Sequence, residues 1–132
     1  MKIDEEMTIS IRFENTYVTN SAGLHRFVDP EDNNIYFYTH LEPYFCNRWF
    51  PCFDQPSIRA PLAVEVAVPD AQWKVYSNGF PKENTKDLEA FIKEHEFTQP
   101  AKGALHMFED SPPISTYLYG MDAGPFSYVK ND

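Results

Sequence analysis

The chain has little of what several classes of protein require. Its 132 residues hold 11 lysines and arginines against 20 aspartates and glutamates, and the resulting net charge of −9 repels phosphate backbones and anionic lipids. No apolar run approaches the roughly 18 residues that are needed to span a bilayer. The first six residues also lack the apolar core of a signal peptide. We therefore expect neither a nucleic-acid partner nor a membrane partner.

Cysteine is scarce as well, because Cys46 and Cys52 are the only two in the chain. Their spacing permits either a disulfide loop or two buried thiols, whereas a zinc knuckle would need further cysteine or histidine close by. We expect buried thiols, since a free cysteine packs as a small hydrophobic residue. Free thiols favour a reducing compartment, so the predicted location is cytoplasmic unless a native targeting signal precedes Met1.

A near match to a zinc-protease motif occurs at His95-Glu96-Phe97-Thr98-Gln99. Such a motif needs two histidines four residues apart on one face of a helix. Gln99 stands at the position of the second histidine, and Pro100 would end the helix there. No Ser-His-Asp or Cys-His arrangement is evident either. We therefore predict no metal ligand and no catalytic residue in this chain, and a surface helix end at His95.

Aromatic residues are plentiful at 16% of the chain, which suits β-strands. Alternating apolar and polar residues predict strands at 7–13 and 62–68. Turn-forming residues at 29–34 predict a hairpin between strands at 26–28 and 35–38. A strand at 73–76 is predicted to pair with 62–68 across the turn at 69–72. Strands at 104–109 and 114–119 are predicted to pair with each other across 111–113. A last strand is predicted at 126–129.

One helix is predicted at 85–97, where Leu88, Phe91, Ile92 and His95 form an apolar stripe. Asn84 or Thr85 is the expected cap. A short helix is also expected within 44–50, ending before Pro51. The predicted fold class is therefore mainly β, an antiparallel sheet or sandwich with one helix near 85–97.

Residues 39–60 are the most unusual stretch, because three prolines interrupt a segment rich in aromatic and thiol side chains. It contains Thr39-His40-Leu41-Glu42-Pro43 and Asn47-Arg48-Trp49-Phe50-Pro51-Cys52-Phe53-Asp54-Gln55-Pro56. With the sequences at 23–27, 75–79, 113–118 and 123–126, this stretch resembles the aminopeptidase N family of zinc metallo-aminopeptidases. These enzymes release single residues from peptide N-termini.

The resemblance implies a saddle-like N-terminal β domain. Neither the family's Gly-x-Met-Glu-Asn loop nor its His-Glu-x-x-His zinc motif occurs in residues 1–132. We therefore interpret these residues as a partial N-terminal domain without its first strands and without the catalytic domain. Zinc would belong to the parent enzyme, the partners would be peptide substrates and the catalytic domain of the same parent chain, and the isolated chain should be inactive.

The resemblance also assigns two substrate-binding residues. Glu42 matches the family position that contacts the free α-amine of the substrate, although the residues alone would indicate a turn carboxylate. His40 stands where the family more often has glutamine in the pocket for the first side chain, and it could instead pack at a strand end. Arg48 and Asp54 are predicted to pair with each other and to satisfy backbone groups of the loop. Tyr117 and Tyr119 are expected to share one strand face in the core.

A second function of another class stays open on the sequence alone. The chain could be a non-catalytic β-rich binding or structural module that keeps this fold. The reading frame beyond Asp132 would discriminate between the two, since a zinc motif there would favour the enzyme and a stop codon would favour the module.

Overall fold

The computed structural model describes residues 6–97 and 102–129, and strands dominate these residues. The strands are β1 (Gly23–Val28), β2 (Ile35–His40), β3 (Arg59–Ala60), β4 (Glu65–Val68), β5 (Lys74–Ser77), β6 (Pro81–Lys82), β7 (Ala104–Phe108), β8 (Ile114–Ser115) and β9 (Met121–Gly124). Helix α1 spans Leu88–Glu94, and short 3-10 turns occupy Cys46–Arg48 and Thr116–Leu118. The prediction of a mainly β chain with one α-helix is confirmed for the described residues.

The largest sheet has the strand order β1-β2-β9-β5, and every pair in it is antiparallel. The predicted hairpin forms its first two strands. Asp29 and Asn34 close the hairpin through a backbone hydrogen bond of 2.9 Å, and the Asp29 carboxylate accepts from the Glu31 amide. Asn33 adopts a positive φ of 59°, a conformation that asparagine tolerates better than most residues. Local turn chemistry therefore fixes this register.

Two smaller antiparallel sheets complete the architecture, one ordered β4-β7-β6 and the other pairing β3 with β8. One face of β7 packs against α1, where Phe91, Leu105 and Met107 form a buried cluster. On the other side, Val68 and Phe108 share a core with residues of the large sheet. The large sheet and the β4-β7-β6 sheet thus enclose the main core, and α1 covers the outer face of the β4-β7-β6 sheet.

Helix α1 is shorter than predicted, and its cap is different. Asp87 is the N-cap, and its carboxylate accepts a hydrogen bond of 3.1 Å from the Ala90 amide. The expectation of a cap at Asn84 or Thr85 is therefore wrong. Asn84 instead donates its side-chain amide to the Leu105 carbonyl and accepts from the Lys86 amide, so it anchors the loop before the helix to β7.

The strand predicted at 7–13 does not form. Its alternating apolar residues Met7, Ile9, Ile11 and Phe13 are 80%, 64%, 59% and 50% exposed. A two-residue period produces a strand only where a neighbouring strand supplies hydrogen bonds and a face to cover. Among the described residues no strand pairs with this segment, so its pattern has nothing to pack against.

Two pairing predictions and one strand position are also wrong. Strand β5 pairs with β9 in the large sheet, and β4 pairs with β7, so the turn at 69–72 carries the chain from one sheet to the other. The predicted strand at 114–119 pairs with β3 rather than with β7, and after two residues it becomes the turn at Thr116–Leu118. No strand forms at the predicted 126–129, and the last strand of the described residues is β9. Short strands leave too few residues for periodicity to identify their partners.

The described part of the chain contains no helix of the length and apolarity that a membrane crossing requires.

Candidate functional site

The candidate site lies where the chain leaves β2. The strand ends at His40, and the next residue, Leu41, is only 2% exposed. The Phe45 amide donates a hydrogen bond of 2.7 Å to the Leu41 carbonyl, and the bond between Glu42 and Pro43 is cis. His40 and Glu42, which flank this buried leucine, are both exposed. The buried residue thus fixes the backbone while its two neighbours present their side chains to solvent.

A small core supports the loop from below. Leu41, Cys46 and Tyr119 are buried together. The Phe50 ring stacks on Tyr119 with centroids 6.3 Å apart, and the Tyr119 hydroxyl donates to the Ala60 carbonyl at 3.0 Å. This cluster joins the loop to the segment after β8. Of the two tyrosines that were expected in the core, Tyr119 is buried and Tyr117 is only half-buried, because the chain turns there.

Asp54 locks the far end of the loop. Its carboxylate accepts hydrogen bonds from the Asn47 amide at 3.1 Å, from the Asn47 side chain at 2.8 Å and from the Thr116 hydroxyl at 2.7 Å. Burial by itself would raise the pKa of Asp54, but these hydrogen bonds, together with one from the Cys46 backbone, outweigh it and hold the pKa below its usual value. The carboxylate is therefore a structural acceptor.

The predicted pair of Arg48 and Asp54 does not form. The Arg48 guanidinium lies 4.6 Å from the centre of the Phe45 ring. The backbone carbonyl of Arg48 accepts a hydrogen bond from the Asn15 side-chain amide. Because Asp54 does bond to the backbone of Asn47, only the half of the prediction that concerned backbone groups is right.

Both cysteines are free, as expected. Cys46 is fully buried and Cys52 is half-buried in the same cluster. Burial is the main reason that the pKa of Cys46 lies far above its ordinary value, and the neighbouring Cys52 raises it further. Burial also raises the pKa of Cys52. The raised pKa values keep both thiols protonated near neutral pH. Because only the thiolate is reactive, the two side chains act here as packed hydrophobic residues.

The two predicted site residues differ in their contacts. The ion pairs of the described residues join Arg12 to Glu96 and Lys86 to Glu65, so in this part of the chain Glu42 has no ionic partner. Its carboxylate is therefore able to accept hydrogen bonds from a cation. His40, in contrast, is held on one side, because its Nδ1 lies 2.6 Å from the carbonyl oxygen of Ser21.

The structure also shows the surroundings of the near match to a zinc motif. His95 ends α1, and its ring lies 4.5 Å from that of Phe91 and 5.6 Å from that of Phe97. Glu96 contacts Arg12, and Gln99 lies outside the described residues. Within 6–97 and 102–129, no group of three histidine, cysteine or acidic side chains is placed to hold a metal ion.

Sequence reasoning missed the turn before β1. Ser21 contacts both His40 and His25, and His25 is buried in β1 although its spacing indicates no partner. The signal that could have pointed there is Asn20-Ser21-Ala22-Gly23, a cluster of turn-forming residues. It predicts a turn, but not which side chains the turn contacts.

The fold and this loop together define an antiparallel β domain that presents an exposed carboxylate on a packed loop. Residues 1–118 match the family described as Peptidase M1 N-terminal domain, and the chain belongs to that family.

Individual relatives agree with this family. Aminopeptidase N of Streptomyces lividans is 33% identical over 115 residues, which are 87% of this chain and 11% of that protein. Probable aminopeptidase 1 of Sulfurisphaera tokodaii is 29% identical over 131 residues, which are 99% of this chain and 14% of that protein. The chain thus spans about one-ninth to one-seventh of the length of these relatives.

Proposed function

We propose that this chain is part of the N-terminal domain of a zinc aminopeptidase, in which Glu42 anchors the α-ammonium group of the peptide and His40 lines the pocket for the first side chain. The observation that carries the proposal is the exposed Glu42 carboxylate, which has no ionic partner among the described residues and stands on a braced loop inside the region that matches the family.

An exopeptidase must measure one residue from the end of its substrate. A carboxylate that grips the α-ammonium group forms charge-assisted hydrogen bonds, which are stronger than neutral ones. If the anchor is rigid, it also fixes the distance between the first peptide bond and the catalytic group. The buried Leu41 and the Asp54 hydrogen bonds supply that rigidity on either side of the loop.

The family implies a zinc ion, but the described residues of this chain do not form a site that fits one. In the proposed enzyme a catalytic domain of the same parent chain would hold the zinc, which would supply Lewis-acid chemistry there. That domain is also the expected partner of the Glu42 loop. The isolated chain should then release no amino acid from aminoacyl substrates.

Replacement of Glu42 by alanine in the parent enzyme tests the proposal. A hydrogen bond to a charged group contributes on the order of 1.5–3 kcal/mol, so we expect kcat/KM to fall about ten- to a hundredfold. The loss should be similar for substrates with different first side chains, because all of them share the amine. Glu31→Ala, which removes an exposed carboxylate in the β1–β2 turn, is the matched control. Unchanged kinetics with unchanged zinc content would mean that Glu42 is only a turn residue.

Replacement of His40 by alanine should give a different result. Loss of a residue that lines the pocket changes the ranking of substrates by their first side chain. Loss of an amine anchor instead lowers kcat/KM for all substrates by a similar factor. Steady-state kinetics over a small panel of aminoacyl substrates separates the two outcomes. A uniform loss in His40→Ala would contradict the pocket assignment.

A further inference from the structure

We propose that Ser21 and His25 are positioning residues that hold the His40 imidazole with its Nε2 atom as a hydrogen-bond acceptor, so that the first-residue pocket favours side chains that donate hydrogen bonds. The substrate part of this inference rests on the proposed function. The part that concerns the His40 ring does not, because it can be measured on this chain alone.

The first contact sets the His40 tautomer. Its Nδ1 lies 2.6 Å from the Ser21 carbonyl oxygen. A carbonyl oxygen can only accept a hydrogen bond, so Nδ1 must carry the hydrogen. In a neutral imidazole the other ring nitrogen then has a free lone pair. The exposed side of His40 is therefore an acceptor.

The second contact holds Ser21 in place. Its backbone amide donates a hydrogen bond of 3.1 Å to Nδ1 of His25, so this nitrogen must be without a hydrogen. Ser21 adopts a positive φ of 60°, which an L-residue keeps only where contacts fix it. The two histidines thus carry opposite protonation patterns at Nδ1, and one serine backbone connects them.

Packing makes His25 a rigid support. It is only 7% exposed, and its ring lies 4.7 Å from that of Tyr38 on the paired strand β2. The Tyr38 hydroxyl is also 3.5 Å from the Ser21 hydroxyl. Because β2 continues from Tyr38 to His40, the same strand carries the supporting ring contact and the supported histidine.

The ligand class follows from the acceptor at Nε2. First residues with N–H groups on their side chains, such as arginine and lysine, can donate to it. An aliphatic first residue would leave the lone pair without a partner, which is unfavourable once water is excluded. The structure therefore points to a pocket that favours peptides with a basic or amide-bearing first residue over peptides with an aliphatic first residue such as leucine.

Nitrogen-15 NMR of the histidine rings in the 132-residue chain tests the positioning directly. We expect His40 to be predominantly the tautomer with hydrogen on Nδ1, and His25 to be the tautomer with hydrogen on Nε2. His25→Phe keeps a ring against Tyr38 but removes the acceptor, so His40 should become a mixture of tautomers. His25→Asn places an oxygen near the position of Nδ1 and should restore the wild-type pattern.

Two control variants sharpen this test. Ser21→Gly keeps both backbone groups and tolerates the positive φ, so the His40 tautomer should be unchanged. His95→Phe alters a histidine at the end of α1 and should also have no effect. A wild-type His40 with hydrogen mainly on Nε2 would overturn the proposal even if His25→Phe fails to fold. An unchanged tautomer in a folded His25→Phe would overturn it as well.

Kinetics of the parent enzyme tests the ligand class. The ratio of kcat/KM for an arginyl substrate to that for a leucyl substrate should fall about three- to tenfold in His40→Phe, which keeps a ring at this position but has no hydrogen-bond acceptor. His25→Phe should lower the same ratio, mainly through KM. Glu42→Ala should lower kcat/KM for both substrates by a similar factor. If Glu42→Ala behaves in this way and the ratio is unchanged in His40→Phe, the ligand class is wrong and the proposed function stands.

Discussion

Glu42 and Asp54 are both acidic residues of the loop that follows β2, but their surroundings differ. Asp54 receives hydrogen bonds from Asn47 and Thr116, which hold its pKa below the usual value. Glu42 is exposed and forms no ion pair with the described residues. One carboxylate therefore maintains the loop, and the other is available to a ligand.

Replacement of Asp54 by asparagine should destabilise the chain by about 1.5–3 kcal/mol at neutral pH, which is the usual contribution of a hydrogen bond to a charged group. Because the pKa of Asp54 is lower in the folded state, its contribution is present above the ordinary aspartate pKa of about 4 and is lost as the pH falls through the lower folded value. Urea unfolding of both proteins across this pH range checks it.

Asp110→Asn is the control for this experiment, since Asp110 is exposed. A stability difference between the wild-type chain and Asp54→Asn that stays constant down to pH 2 would contradict the assignment, because the difference should close on acidification.

At this scale the sequence predicts the identity of candidate residues better than their contacts. Glu42 and His40 follow from the motif that surrounds them, and their roles stay predictions. Ser21 and His25 could not be predicted, because their contacts depend on how the turn before β1 folds back onto the end of β2. The predicted pair of Arg48 and Asp54 is absent for a different reason, because the Arg48 guanidinium lies over the ring of the nearby Phe45 instead.

Among the elements, local signals succeed and distant pairings fail. The β1–β2 hairpin and helix α1 are encoded by adjacent turn formers and by a continuous apolar stripe. The partners of β5 and β8 depend instead on segments about 50 residues away, which no local period reveals. Residues 7–13 show the limit most clearly, because the alternation is present and the strand is not.

A test at the scale of elements concerns the close approach of two loops at Gly79. A β-carbon added there would overlap the carbonyl oxygen of Glu109, and the Glu109 amide bonds to Phe80 at 2.9 Å. Gly79→Ala should therefore force these segments apart and cost about 3 kcal/mol of the free energy of unfolding. Gly120→Ala is the matched control, because its nearest neighbour would be the Asn78 side chain at 3.7 Å. Equal stabilities of the two variants in chemical denaturation would contradict this account.

At the scale of the whole molecule, the chain provides only part of what its relatives contain. It spans 11% of the Streptomyces lividans relative and 14% of the Sulfurisphaera tokodaii relative. The chain is a member of the family, and its described residues form antiparallel sheets. Catalysis, in contrast, requires the zinc-bearing domain that we propose for the parent enzyme. The cytoplasmic location stays a prediction, and so does the choice between enzyme and non-catalytic module.

The most direct test of the central claim is a double-mutant cycle between Glu42 and the amine of a ligand. The affinities of a competitive inhibitor with a free α-amine and of its desamino counterpart would be measured for the parent enzyme and for Glu42→Ala. If Glu42 grips the amine, the mutation weakens only the first inhibitor, and the coupling energy is about 1.5–3 kcal/mol. A coupling energy near zero would mean that Glu42 and the amine do not interact, and the proposed function would fail at its anchor.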